Sequence, residues 1–179
     1  MKIFMPVPAD RPVTAEILAS IKKQGIEPEI IDCTFDAKKF FKPQRLVLSE
    51  KKFKEVALKC TDEFIVYQQC DILHLRDDNI SVMQTFLTSH PDFGAVALSR
   101  YRINSKLVYD PAEKNTIISG CVMFTRKGLE AVEFEEPDEI RQPTSKIIAS
   151  SLNKAGLKYG YVDDIMRVQH PSMNFFYRG

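Results

Sequence analysis

The chain lacks the marks of several protein classes. Its four cysteines, Cys33, Cys60, Cys70 and Cys121, are scattered, and no Cys-x-x-Cys pair occurs. That spacing argues against a disulfide scaffold and a structural zinc site, and it points to reduced thiols in a cytoplasmic protein. No apolar run is long enough to span a bilayer. The opening Met1–Pro6 has neither the apolar stretch nor the small-residue cleavage site of a signal peptide, so none is expected. A net field is missing too: 25 Lys and Arg against 24 Asp and Glu leave +1, so no overall charge recruits nucleic acid. No Gly-x-Gly-x-x-Gly and no Walker loop occurs, which weakens dehydrogenase and kinase readings. There are no repeats, low-complexity stretches or linkers.

What is present reads as one α/β domain. With 179 residues, 44% hydrophobic and 27% charged, the chain can bury one sizeable core. Ile3-Phe4-Met5 is a first buried strand, ended by Pro6 and Pro8. Thr14 caps a helix with Ile17, Leu18 and Ile21 on one face, and Gly25 stands at its C-terminus. Glu29–Asp32 is a second strand. Strand, helix and strand in so short a span predict a parallel pair with a right-handed crossover.

Beyond it, Phe40-Phe41 reads as core, Lys51–Lys59 as a helix with Phe53, Val56 and Ala57 inward, and Phe64–Tyr67 as a strand. Asp77 or Asp78 caps a helix carrying Ile80, Met83, Phe86 and Leu87 at helical spacing. Gly94–Leu98, Ile117-Ile118 and Cys121–Phe124 are strand material. Ser145–Ala155 is a helix closed by Gly156, and Tyr159–Val168 a last extended segment. The lysines between positions 38 and 54 read as a solvated face.

In open α/β sheets ligands sit at the carboxyl ends of the strands. Pro6–Arg11, Asp32, Gln69-Cys70-Asp71 and His170 fall there. From composition alone, Asp32 and Asp71 read better as turn residues than as ligand-binding ones. Asp77-Asp78 suits a helix cap better than a metal site, and a lone histidine such as His170 is more often a surface residue than a ligand.

The order of segments adds to this. Ile3-Phe4-Met5-Pro6 with Arg11-Pro12, the helix around Leu18–Gln24, Pro28–Asp32, Thr61–Tyr67 leading into Gln69-Cys70-Asp71, His90–Val96, Ser119–Lys127 and Ala155–Val162 ending at His170 together resemble the family 2 glycosyltransferases. The resemblance covers nearly the whole chain, and it implies a single domain over residues 1–179. The implied fold is an open, mostly parallel mixed sheet flanked by helices, the GT-A type. It further implies transfer of a sugar from a nucleotide-diphosphate sugar to an acceptor hydroxyl, the acceptor being unknown.

On the matching positions, Pro6, Arg11, Asp32, Gln69 and Asp71 would bind the donor, with Asp32 on the base. Asp71 and His170 would hold Mn²⁺ or Mg²⁺. A homo-oligomer fits the same reading. Two departures stand out. Gln69 replaces the first acid of the Asp-x-Asp motif. Thr144-Ser145 stands where the family carries the Glu-Asp pair that supplies the base, so Asp138, chosen by position among the acids just upstream, is expected to take that role. The same departures support a rival: a binding or scaffold protein of this fold without catalysis. A third reading is likeness of fold only, which says nothing of chemistry.

Overall fold

A computed structural model describes residues 1–9, 11–35, 42–98, 100–101, 120–134, 136, 144–162 and 167–169. Along the chain these form β1 (Lys2–Val7), α1 (Ala15–Lys22), β2 (Pro28–Asp32), α2 (Lys42–Ala57), β3 (Phe64–Gln68), β4 (Leu73–His74) and α3 (Asn79–Ser89). There follow β5 (Phe93–Ala97), β6 (Arg100–Tyr101), β7 (Cys121–Thr125), α4 (Arg126–Ala131), α5 (Thr144–Lys154), β8 (Lys158–Tyr161) and β9 (Val168–Gln169).

Six strands form one sheet in the order β2-β1-β3-β7-β5-β8. β1 pairs in parallel with β2 and β3, and β5 with β8, while β7 runs antiparallel to both its neighbours. The expected mostly parallel mixed sheet is therefore present. Beside it lies a small sheet, β4-β9-β6, that the sequence reading does not contain. The stretch read as one extended segment, Tyr159–Val168, is instead divided between the two sheets: β8 follows β5, and β9 pairs with β4 and β6.

Helices cover both faces, so the central strands β1, β3, β7 and β5 are buried along most of their length rather than alternating, while the edge strands β2 and β8 are exposed or half-buried at most positions. Phe4, Ile65, Tyr67, Val122 and Phe124 pack on one face with Phe53 and Ala57 of α2 and Ile148 and Leu152 of α5. Ile3, Met5, Phe64, Val66 and Met123 pack on the other with Ile17 and Ile21 of α1 and Ile80, Met83 and Leu87 of α3. Each such fully buried side chain contributes about 1.5–3 kcal/mol relative to exposure.

Local signals explain most element ends. Thr14 Oγ1 accepts from the Ile17 amide at 3.3 Å, the N-cap expected. Gly25 and Gly156 take φ of 76° and 71° just after α1 and α5, a conformation in which a Cβ would be strained.

Three expectations need correction. Pro6 does not stop β1. The strand runs on to Val7, with Pro6 opposite Ile31 of β2. The pairing with β3 ends at Phe4, so at Pro6 no neighbour on that side needs an amide proton. Second, α2 begins at Lys42, nine residues earlier than Lys51; Pro43 lies in its first turn, where a missing N–H is harmless. Third, Asp78 occupies the N-cap of α3 but makes no capping hydrogen bond. Its carboxylate accepts from Arg167 Nη1 at 2.9 Å instead, because a charged partner outbids a backbone amide. Phe40-Phe41 and Ile117-Ile118 lie outside the described residues.

Candidate functional site

The chain crosses from β1 to β2 through α1, then returns through α2 to place β3 on the other side of β1. The connections leave β1 in opposite directions, and this opens a crevice at the carboxyl ends of β1 and β3. The segments that follow these strands hold Pro8, Ala9 and Arg11 after β1 and Gln69–Asp71 after β3. They meet: Arg11 Nη1 donates to Asp71 Oδ2 at 3.3 Å. The aspartate is nearly buried and the arginine about a third exposed. Such a pair adds at most about 1 kcal/mol to stability. Its value lies in presenting a cation and a carboxylate at the mouth of the crevice.

Pro6 is buried in β1, near its carboxyl end. The Gln69 amide donates to the Gly120 carbonyl at 2.9 Å, fixing the turn after β3 to the start of β7. The Gln69 side chain hydrogen-bonds the phenol of Tyr67. Asp32 ends β2 opposite Val7 and is exposed, so it stands on the same edge of the sheet as Asp71. The ends of β2 and β3 are about 10 Å apart across β1.

The Thr34 hydroxyl and amide donate to Asp32 Oδ1 at 2.7 and 2.9 Å. These hydrogen bonds hold its carboxyl below the usual range, hydroxyl first, with a smaller contribution from Lys52. The Lys52 ammonium itself donates to the Asp32 carbonyl. The structure thus joins Arg11 to Asp71, keeps Gln69 in the same turn as Asp71, and sets Pro6 and Asp32 near the same edge of the sheet. Asp138 and His170 lie outside the described residues.

Among the described residues no group of three or more His, Cys, Asp or Glu side chains is placed to hold a metal. Among the described residues, the side-chain oxygen donors in the turn after β3 are Asp71 and Gln69, fewer than the six ligands Mg²⁺ requires. The register gives one further fact: Gln169, the last described residue before His170, pairs with Leu73, two residues past Asp71. None of the four cysteines forms a disulfide.

Two buried polar clusters escaped the sequence reading. One lies under the small sheet. His74 Nε2 donates to Gln68 Oε1 at 3.1 Å, and Asn79 Nδ2 donates to His74 Nδ1 at 2.8 Å and to the Arg167 carbonyl at 3.0 Å. Gln68 Nε2 donates to the Ile72 carbonyl at 3.1 Å. These roles make His74 a neutral imidazole with its proton on Nε2, and burial lowers its pKa to about 4.

The other cluster joins α2 to α5: the Thr144 hydroxyl donates to Glu50 Oε2 at 2.6 Å. Burial raises the Glu50 pKa to about 8, against the weaker opposing effect of Thr144. Its signal was in the sequence. Glu50 follows Val47 by three positions and precedes Phe53 and Ala57 by three and seven, all of them buried, which puts an acid on the apolar face of a basic helix.

No family model matches the chain, and no curated protein does. Solved structures do. Staphylococcus aureus TarS in complex with UDP-GlcNAc superposes with a TM-score of 0.61 at 13% identity over 94% of this chain. The mannosyltransferase PcManGT from Pyrobaculum calidifontis, in complex with GDP-Man and Mn²⁺, gives 0.61 at 14% over 93%. A197 from STIV gives 0.59 at 15% over 94%, with 83% of its own length covered. The fold is GT-A. At these identities the likeness is one of fold, and activity must be argued from the site. The chain spans 58% of the TarS structure and 55% of PcManGT. No helix among the described residues is long and apolar enough to cross a membrane.

Proposed function

We propose that the chain binds a nucleotide-diphosphate sugar at the carboxyl edge of β2, β1 and β3 and transfers the sugar to an acceptor hydroxyl. The observation that carries this reading is the Arg11–Asp71 pair across the crevice between β1 and β3, in a fold shared with structures that hold UDP-GlcNAc and GDP-Man. Asp32, exposed and with Oδ1 occupied by Thr34, suits a base N–H. Arg11 suits the diphosphate, with Pro6 near the same edge and Gln69 in the turn that holds Asp71. Asp71, with His170 and the amide oxygen of Gln69, would hold Mn²⁺ or Mg²⁺. The small donor set means that diphosphate oxygens must complete the shell. Such an ion, when bound, would neutralise the leaving diphosphate. Position in the sequence gives the base to Asp138.

A second reading, binding without transfer, is favoured by Gln69 and by Thr144-Ser145, which stand where the resemblance to the family 2 glycosyltransferases expects acids. Calorimetry with UDP and GDP sugars, with and without Mn²⁺, tests the donor site. We expect metal to bind measurably only with nucleotide present, and Asp71→Asn to abolish that coupling. Equal nucleotide binding by wild type and Asp71→Asn, with no metal dependence in either, would make Asp71 a turn residue.

A further inference from the structure

Asp138 rests on sequence position alone, yet the described residues hold a carboxyl where the resemblance expects one. Thr144 is the first residue of α5, at the position of the missing acid pair, and its hydroxyl donates to Glu50 at 2.6 Å. Glu50 is 1% exposed and Thr144 6%. Among the described residues Glu50 Oε1 has no hydrogen-bond partner, although a buried carboxyl oxygen ordinarily finds one.

The pair sits toward the donor edge. Helices α2 and α5 each lead into a strand of the parallel set, β3 and β8, so both descend from the carboxyl edge. Tyr67, next to last in β3, is influenced by Glu50, Cys70 and Asp71 together, and its phenol is held well above its ordinary range by burial first and Glu50 second. Among the described residues, the titratable groups facing α2 are Tyr67 and, after β2, Cys33, whose thiol burial also pushes up, together with Glu130, Glu133 and Glu136, which face Lys54 and Lys51. Helix α5 adds Thr144; Lys146 and Lys154 on it are exposed. On α2 itself, Arg45 lies five positions before Glu50, and Lys51, Lys52 and Lys54 are partly exposed.

We propose that Glu50 accepts, through Thr144, the proton of the acceptor hydroxyl, so that a positioning residue on α2 restores the acid missing at 144–145. The proposal rests on the donor site described above. The acceptor oxygen bonds to the anomeric carbon as the bond from that carbon to the diphosphate oxygen breaks, and the nucleoside diphosphate leaves with the electron pair. The acceptor's proton passes to Thr144 Oγ1, and the threonine's own proton passes along the existing hydrogen bond to Glu50 Oε2. Glu50 must be a carboxylate to take it. With its pKa at about 8, roughly a tenth of the molecules carry that form at pH 7, and nearly all do at pH 9.

The test measures release of UDP from UDP-GlcNAc and of GDP from GDP-Man, with water as acceptor and Mn²⁺ present, from pH 6 to 9. Binding of UDP and GDP is followed in parallel by calorimetry. Wild-type turnover should rise about tenfold from pH 7 to 9. Glu50→Gln and Thr144→Val should lose that rise and at least about 100-fold in rate, while nucleotide affinity stays within about twofold of wild type. Thr144→Ser, which keeps the hydroxyl, should recover the rise. If Glu50→Gln fails to fold, the Thr144 pair decides the matter alone.

Retention of the alkaline rise in Glu50→Gln or Thr144→Val overturns the proposal. Nucleotide binding by a wild type that turns over neither donor also overturns it but leaves the donor site standing. No nucleotide binding at all overturns both.

Discussion

The two buried polar clusters lie on opposite faces of one sheet and are built in opposite ways. Under the small sheet, both ring nitrogens of His74 are matched, and the side chains of Gln68 and Asn79 bond to the ring and to main-chain carbonyls. Between α2 and α5, Glu50 has one partner, and the other oxygen has none among the described residues. Burial acts on both, pushing His74 down and Glu50 up. A matched network costs little and specifies one arrangement, here the docking of β4 and β9 against α1 and α3. A half-matched acid costs stability, and a cost retained in a core calls for a role.

The sharpest way to separate the clusters is pH. Glu50 has a folded pKa of about 8 against an ordinary 4.5. The unfolded chain therefore gives up this proton first as pH rises. The contribution of Glu50 to stability is full below 4.5 and is lost between 4.5 and 8, at about 1.4 kcal/mol per pH unit. His74 runs the other way: with a folded pKa of about 4 against 6.5, its contribution is present above 6.5 and is lost as pH falls toward 4. Between 4.5 and 6.5 the two slopes oppose each other. Urea titrations at successive pH values should show the stability of wild type relative to Glu50→Gln falling by about 4 kcal/mol from pH 5 to 8. A pH-independent difference would mean that Glu50 is not buried as an acid.

Breaking the matched cluster should give the next largest effect. Asn79→Ala removes the donor to His74 Nδ1 and to the Arg167 carbonyl, and two stranded acceptors plus a small void should cost about 3 kcal/mol at pH 7 by urea unfolding. A loss well under about 1 kcal/mol would show that water replaces the amide. Ser20 sets the lower bound. Its hydroxyl accepts from the His74 amide at 3.2 Å and donates to the Ile17 carbonyl at 2.8 Å, so Ser20→Ala should cost about 1 kcal/mol. The Ile17 carbonyl is already in helix α1, which leaves the His74 amide as the main orphan.

Much of the scaffold was legible in the chain because it is written locally. Thr14 before Ile17 and Ile21 marked α1, Gly25 and Gly156 marked two helix ends, and Ile3–Met5 and Phe64–Tyr67 marked two central strands. The strand-end rule put Arg11, Asp32 and Asp71 on one edge. The small sheet was not legible, since β4, β6 and β9 are two residues each and carry no periodicity to detect. Asp78 misled for a related reason: its position was that of a cap, but its partner, Arg167, arrives from 89 residues away.

The sequence by itself therefore determined the alternation of strands and helices, the apolar faces and the edge on which chemistry would lie, because propensity, capping and hydrophobic period act between near neighbours. Only the tertiary structure decided which distant groups share a site. Arg11 reaches Asp71 across 60 residues and Thr144 reaches Glu50 across 94. Those encounters follow from the return of α2 across β1 and the common descent of α2 and α5 from one edge. Strand order and helix direction make such pairs, and neither is encoded in any short window of the chain.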